Sequence, residues 1–313
     1  MLRFIFRRII GLVPTMAGVS LIVFLILHLT PGDPARLIGG PDATEDDIVA
    51  IRHSMLLDRS LPEQYLTFVT RTLTGDLGES FRTRRPVTAE ILDRLPYTIE
   101  LATVAMVIAL IVGVVAGTFS ATRQYSVTDN LVTVGALVGV SIPSFWFGLV
   151  LLLIFSLTLG WFPASGRGGP LWTLEGLQYI ALPAFTLGIA AAASVARLTR
   201  SSMLDVLQQD YMTTAKAKGL SAVMLLRRHA LKNALIPVVT IAAIQFGQLL
   251  GGAIIVEGVF GWPGVGRLTM TSIGNRDYPM VQGAVLVLGL TFALLNLFVD
   301  VLYAYLDPRI RYK

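Results

Sequence analysis

The 313-residue sequence contains no cysteine, which excludes a disulfide framework, a thiolate metal site and thiol catalysis. Its three histidines, His28, His53 and His229, lie too far apart to form a metal-ligand motif. Enzymatic signatures are missing as well: there is no Walker A loop, so no P-loop ATP site, and no HExxH or GxSxG. Intramembrane proteolysis needs paired carboxylates, or a Ser with a His, inside a span, and Ser141 and Ser144 have no His within reach in sequence. Charge is scarce, at 14% of residues against about a quarter in soluble domains. Apolar residues fill the gap, with 54% hydrophobic residues and a mean hydropathy of +0.69, the composition of an integral membrane protein. The net charge of +5 does not argue for nucleic acid, because the basic excess is confined to one side of the membrane, as counted below.

A helical span takes about 20 apolar residues, and six runs qualify. The first, 9–29, follows Arg3, Arg7 and Arg8; it is too long for a signal peptide and lacks a small-x-small site, so it reads as an uncleaved helix. His28, near its outer end, reads as an interfacial residue. The others are 101–122, 130–166, 176–196, 233–256 and 278–299, the last with a short extension. Pro143 in the third predicts a kinked or interfacial piece around SIPSFWFG, with Trp161 at the outer interface. Ala190 to Ala193 predict close helix approach in the fourth. Residues 30–98 form a polar, mostly acidic region with room for a few short helices.

Six spans place both termini on one side. That side holds Arg3, Arg7, Arg8, Arg123, Arg197, Arg200, Lys216, Lys218, Arg227, Arg228, Lys232, Arg309, Arg311 and Lys313, fourteen in all, against Arg167, Arg267 and Arg276 in the short loops opposite. By the positive-inside rule the termini are cytoplasmic. The expected organisation is a cytoplasmic N-terminus at 1–8, a first span at 9–29, an extracytoplasmic region at 30–98, a five-helix core at 99–308 and a cytoplasmic tail at 309–313.

Within that core, residues 198–233 form the one long polar interruption, cytoplasmic by the same rule. Two short amphipathic helices meet at Gly219: Leu207, Tyr211 and Ala215 share one face before it, and Ala222, Leu225, Leu226 and His229 one face after it. Glycine permits a left-handed break, and Ser221 suits the next N-cap. TTAKAKG, followed by His229 and Pro237, resembles the EAA loop of ABC importers, and AKG with HALKNALIP resembles the dipeptide, oligopeptide and nickel permease branch. Thr213 and Thr214 stand where the general pattern has Glu and Ala, and Lys232 where it has Pro; Ala215 and Gly219 agree. TPGDPA, LLDRSLPEQY, GDLGES, RLPYTIELA and YLDPRIR resemble that branch in order, so the likeness covers nearly the whole chain.

The resemblance implies an all-α type I ABC importer permease. Its partners would be a second homologous permease in a heterodimer, two cytoplasmic ATPase subunits that bind ATP and Mg²⁺, and an extracytoplasmic binding protein delivering short peptides. This chain itself would hold no cofactor. Thr213, Thr214, Ala215, Lys216, Lys218, Gly219, His229, Asn233 and Pro237 would form the ATPase-coupling loop. From the residues alone, Gln245 and Gln248 are candidates for a polar translocation path or for bonds between helices. Glu257, Phe260, Trp262 and Gly264 lie in a glycine-rich outer loop that, by resemblance, faces the binding protein. The spans lack Lys, Arg, Asp and Glu at depth except Asp300, a helix-end group, which argues against proton-driven transport. A nickel chelate or glutathione is the alternative cargo; an ATP-independent carrier or channel, or a membrane scaffold, is the alternative function.

Overall fold

The computed structural model describes residues 2–29, 32–40 and 42–306; among these, structure beyond turns is helical except for one isolated bridge between Glu79 and Pro86. The 307–313 tail and the Asp300 side chain lie outside the described residues. Among the described residues five helices are long and apolar enough to cross a membrane, and counting one bent helix pair as a single span brings the number to the six that the sequence predicts. The chain divides into two units, residues 1–98 with 263–313, and residues 99–262.

The first unit opens with α1 (Leu2–Leu29). Three short helices follow in the polar region: α2 (Pro34–Gly39), α3 (Glu45–Ser54) and α4 (Leu61–Leu73). Each start has a local cause. Asp33 accepts from Ala35 N ahead of α2, Thr44 and Asp47 form a capping box on α3, and Ser60 with Glu63 does the same on α4. The long α5 (Val87–Thr122) begins here, fourteen residues before the predicted span at 101, and this corrects the sequence reading. Glu90, Asp93 and Arg94 hide the helix from a hydropathy scan, yet Val87 and Ile91, one turn apart, are fully buried. They pack on Val265 and Leu268 of α12 (Val265–Gly274) and on Met280 and Ala284 of α13 (Tyr278–Leu306). At the start of α13, buried Asp277 accepts hydrogen bonds from the Ser80 hydroxyl, from Phe81 N (3.0 Å) and from Met280 N (3.4 Å). It thereby ties the 80–86 turn to that helix. Leu27 of α1 packs on Tyr278 and Val281.

The second unit contains the rest of α5, then α6 (Val127–Ser141) and α7 (Ser144–Leu151), the latter continuing as a π-helix over Leu152–Thr158. The two arms bend by 106° at Pro143, because a residue before proline is driven to extended backbone and Ile142 takes ψ 127°. The central element is α8 (Leu174–Leu207), packed against α6, α7 and α11. Of its apolar stretch 67% is buried, which makes it an interior helix more than a lipid-facing one. Close approach to α5 depends on small residues: a Cβ on Gly188 would lie 2.6 Å from Ala105 O, and one on Gly117 2.5 Å from Ala196 O. Ala191, Ala192 and Ala193 are buried, as their composition predicts. After α9 (Asp210–Ala217) the chain runs helical without a break from Ala222 to Val259, as α10 (Ala222–Met224), a π-helix (Leu225–Leu231) and α11 (Lys232–Val259).

Candidate functional site

The polar stretch after α8 folds as expected at its centre. α9 ends where Lys218 N bonds Thr214 O (3.1 Å), and Gly219 takes φ +80°, a conformation costly for any residue with a Cβ. Ser221 Oγ then accepts from Met224 N at 3.4 Å and caps the next helix. A Cβ at Gly219 would meet nothing within 4 Å, so the constraint there is backbone angle and not space.

The buried face of α9 differs from the one read in the sequence. Met212 and Ala215 are inside, three residues apart, while Tyr211 is 42% exposed. Leu207 belongs to α8, and Gln208 and Gln209 interrupt the helix between them, so its periodicity does not carry across to Tyr211. Met212 joins Met203 of α8, Ala121 of α5, and Ala230 and Ala234 of the following helix in one apolar cluster, with Leu225 and Leu226 half-buried against it. Ala222 is exposed, so the face predicted after Gly219 holds only in part. Two short helices were expected around the glycine; only the first is separate, because the second is the start of the 222–259 helix.

Of the other predicted residues, Thr213, Thr214 and Lys216 are exposed on α9, Lys218 and Gly219 are exposed just after it, and Ala215 is buried. Asn233 Nδ2 donates both to the Tyr211 hydroxyl (3.0 Å) and to His229 O (3.0 Å), tying α9 to the helix that follows. His229 is half-buried and Pro237 exposed on α11. The site is a short helix seated on the ends of three long ones, with a small, basic and hydroxylated surface turned outward.

A cluster that the sequence reading overlooked lies beside this seat. Asp129, at the start of α6, receives a two-pronged contact from Arg200 of α8 (Nε to Oδ1 2.6 Å, Nη2 to Oδ2 2.8 Å), the Ser120 hydroxyl of α5, and Tyr125 N (2.9 Å). Arg200 lies one turn before Met203, so the ion pair fixes the helix end that carries the apolar seat. Ser126 followed by Asp129 is an N-cap signal visible in sequence. The partner 71 residues on is not.

Gln245 is half-buried and Gln248 exposed on α11. In the 256–270 segment, Glu257, Phe260 and Trp262 are buried at 0%, 2% and 1% exposure, and Gly264 is buried in the first unit. The sequence reading has these residues facing a binding protein; the side chains of Glu257, Phe260 and Trp262 are interior, and main-chain bonds close the turn. Trp262 N bonds Glu257 O (2.9 Å), Gly166 N bonds Phe260 O (2.9 Å), and Arg167 lies over the Trp262 ring at 6.0 Å while pairing with Glu100.

Comparison with known proteins agrees with this architecture. A family model described as "Binding-protein-dependent transport system inner membrane component" matches residues 113–312, and the corresponding N-terminal model matches residues 1–102. The glutathione transport system permease protein GsiC of Salmonella paratyphi A and that of Escherichia coli (strain K12) are each 46% identical over 313 residues, covering 100% of both chains. Two inward-facing structures of the MetNI methionine ABC transporter align with TM-scores of 0.56 and 0.55 at 18% and 17% identity, over 69% and 70% of this chain and 96% of theirs. That likeness shows the fold. The chain therefore belongs to the family of inner-membrane components of binding-protein-dependent transport systems, as an ABC importer permease with the type I fold, a transport subunit that works with separate ATPase and binding-protein partners.

Proposed function

We propose that this chain and a second, homologous permease form the translocation path of an importer for short peptides, glutathione being the first to test because the full-length relatives carry that name. Glutathione is itself a γ-glutamyl tripeptide, so the two cargo readings share one chemistry. The termini lie in the cytoplasm, and α9 docks on an ATPase subunit through Thr213, Thr214, Lys216 and Lys218. ATP and Mg²⁺ bind to the ATPase pair. When that pair closes on ATP, α9 moves with its docking cleft and the helix from Ala222 to Val259 passes the motion outward. Gln245 and Gln248 offer amides to the peptide backbone along the path.

The observation that carries the coupling role is the seating of α9, apolar on one side through Met212 and Ala215 and exposed on the other. For the cargo, the decisive experiment is uptake in cells lacking other peptide importers, supplied with this chain and its natural partner subunits. Labelled glutathione, a dipeptide and nickel are offered in turn. Accumulation of glutathione or dipeptide, each competed by the other, is the expected result. Uptake of nickel alone would overturn the peptide reading, and uptake that survives ATP depletion would point to the carrier alternative.

A further inference from the structure

We infer that the first unit carries a binding cavity for a small zwitterion, an ammonium and an anionic group on one molecule that also carries amide or ester atoms, separate from the path assigned above. The cavity has a volume of about 520 Å³ and lies among α1, α4, the turn that follows α4, and the start of α13. Small-molecule sites commonly occupy about 300–1,000 Å³.

Its floor is rigid. Phe24 stacks on His28 with ring centroids 4.0 Å apart, and the Tyr278 ring lies 5.4 Å from His28. Both histidine nitrogens are engaged, Nδ1 with Phe24 O (2.8 Å) and Nε2 with the Gln64 side chain (2.9 Å). The histidine that the sequence reads as interfacial is thus a fixed structural member of the wall.

Two polar groups remain unmatched. Tyr278 and Gln282, one turn apart on α13, are 6% and 7% exposed, and both line the cavity. Among the described residues neither the Tyr278 hydroxyl nor the Gln282 amide makes a hydrogen bond to protein, which leaves both available to a ligand in the cavity. Polar groups that face a cavity without a protein partner are free to bond what enters it. A hydroxyl and a carboxamide together suit an amide or ester linker, offering donors and acceptors with no net charge.

The rim supplies both signs. Arg71 and Arg84 line the cavity with Asp76 and Glu79, all four exposed, and none forms an ion pair among the described residues. A ligand of one sign would meet repulsion from half of this rim; a zwitterion meets complementary charge on both. Leu56 and Arg84, which also line the cavity, hold φ +59° and +58°, conformations that non-glycine residues adopt rarely and that concentrate at ligand sites.

The site sits at a membrane boundary, because His28 closes the α1 span and Tyr278 opens the α13 span. The same zwitterion chemistry therefore has two sources, a free short peptide or the headgroup of phosphatidylethanolamine. The test uses the complete importer without its binding protein, in nanodiscs of phosphatidylglycerol. Glutathione and triglycine are titrated calorimetrically into wild type, into the double variant Tyr278→Phe/Gln282→Leu, which keeps shape and removes the polar groups, and into the rim variant Arg71→Ala/Arg84→Ala. In parallel, discs containing phosphatidylethanolamine are assayed by native mass spectrometry for retained lipid. Peptide binding weakened at least tenfold in both variants assigns the free source; retained phosphatidylethanolamine lost in both assigns the headgroup. If neither probe binds wild type, or if the variants bind like wild type, the inference is overturned. The rim residues are solvent-exposed, so the second variant keeps the test decisive if the first fails to assemble.

Discussion

Asp129 gathers a guanidinium, a hydroxyl and a backbone N–H from three segments, and it is buried at 3% exposure. Asp129→Asn leaves Arg200 without its counter-charge, and breaking a buried pair costs about 3 kcal/mol. The expected outcome is a lowered thermal midpoint of the purified complex, together with weaker ATPase stimulation by the binding protein, since the same helix turn seats α9. An unchanged midpoint would show that the pair contributes little. Gly219 gives the complementary case, where geometry and not contact decides. Gly219→Val forces a β-branched residue into left-handed backbone at about 1–2 kcal/mol and should abolish uptake while leaving membrane insertion intact; Gly219→Asn, which tolerates that conformation, should retain uptake. Chain level and solute uptake read both. Gly219 was legible because a glycine between two amphipathic runs is a local signal. The Asp129–Arg200 pair was not, because spacing in one sequence says nothing of a partner from another helix.

Among the elements, the short helices of the first unit depend on carboxylates at their ends. Partial burial pushes the Asp33 carboxyl up, but hydrogen bonds from Arg52 and from Ala35 N override it and hold the group below its usual range. The Thr44 hydroxyl lowers Asp47, and His53 lowers Asp58. A depressed carboxylate stabilises the fold above its unfolded value of about 3.9 and ceases to do so as pH falls through its lower folded value. Protection against hydrogen exchange across residues 33–58, taken relative to the intrinsic rate at each pH, should therefore hold from neutral pH down to about 4 and fall below it. Asp33→Asn should lower that protection at neutral pH and flatten its acid response at the start of α2. These helices were foreseeable only as a polar region with room for short helices, since their capping boxes lie in segments of low hydropathy. The start of α5 at Val87 was missed for a related reason: a helix that continues beyond the apolar layer must be read from its 87–91 face, not from mean hydropathy.

For the whole molecule, the span count, the helical class and the family were legible, because length and apolarity dictate a span and several loose motifs recur in order. The interior placement of the 256–270 segment was not, since a glycine-rich stretch looks like surface in sequence while Phe260 and Trp262 are interior. A tagged chain purified from cells that express its natural partners should bring down a second permease and ATPase subunits, and should lose the ATPases first when Lys216 and Lys218 are both replaced by Glu. Retention of the full set by that variant would remove α9 from the docking surface. The π-winding at Leu225–Leu231 has an angular meaning of its own. Wider turns inside an α-helix are what one additional residue produces, and each residue of an α-helix turns the chain by about 100°. Removing one residue there would let ordinary winding close the gap, giving a helix that is locally better bonded yet rotated by roughly a quarter-turn against the seat of α9. The segment thus behaves as an indexing step between loop and span, and a shortened chain should fold and insert yet stall transport.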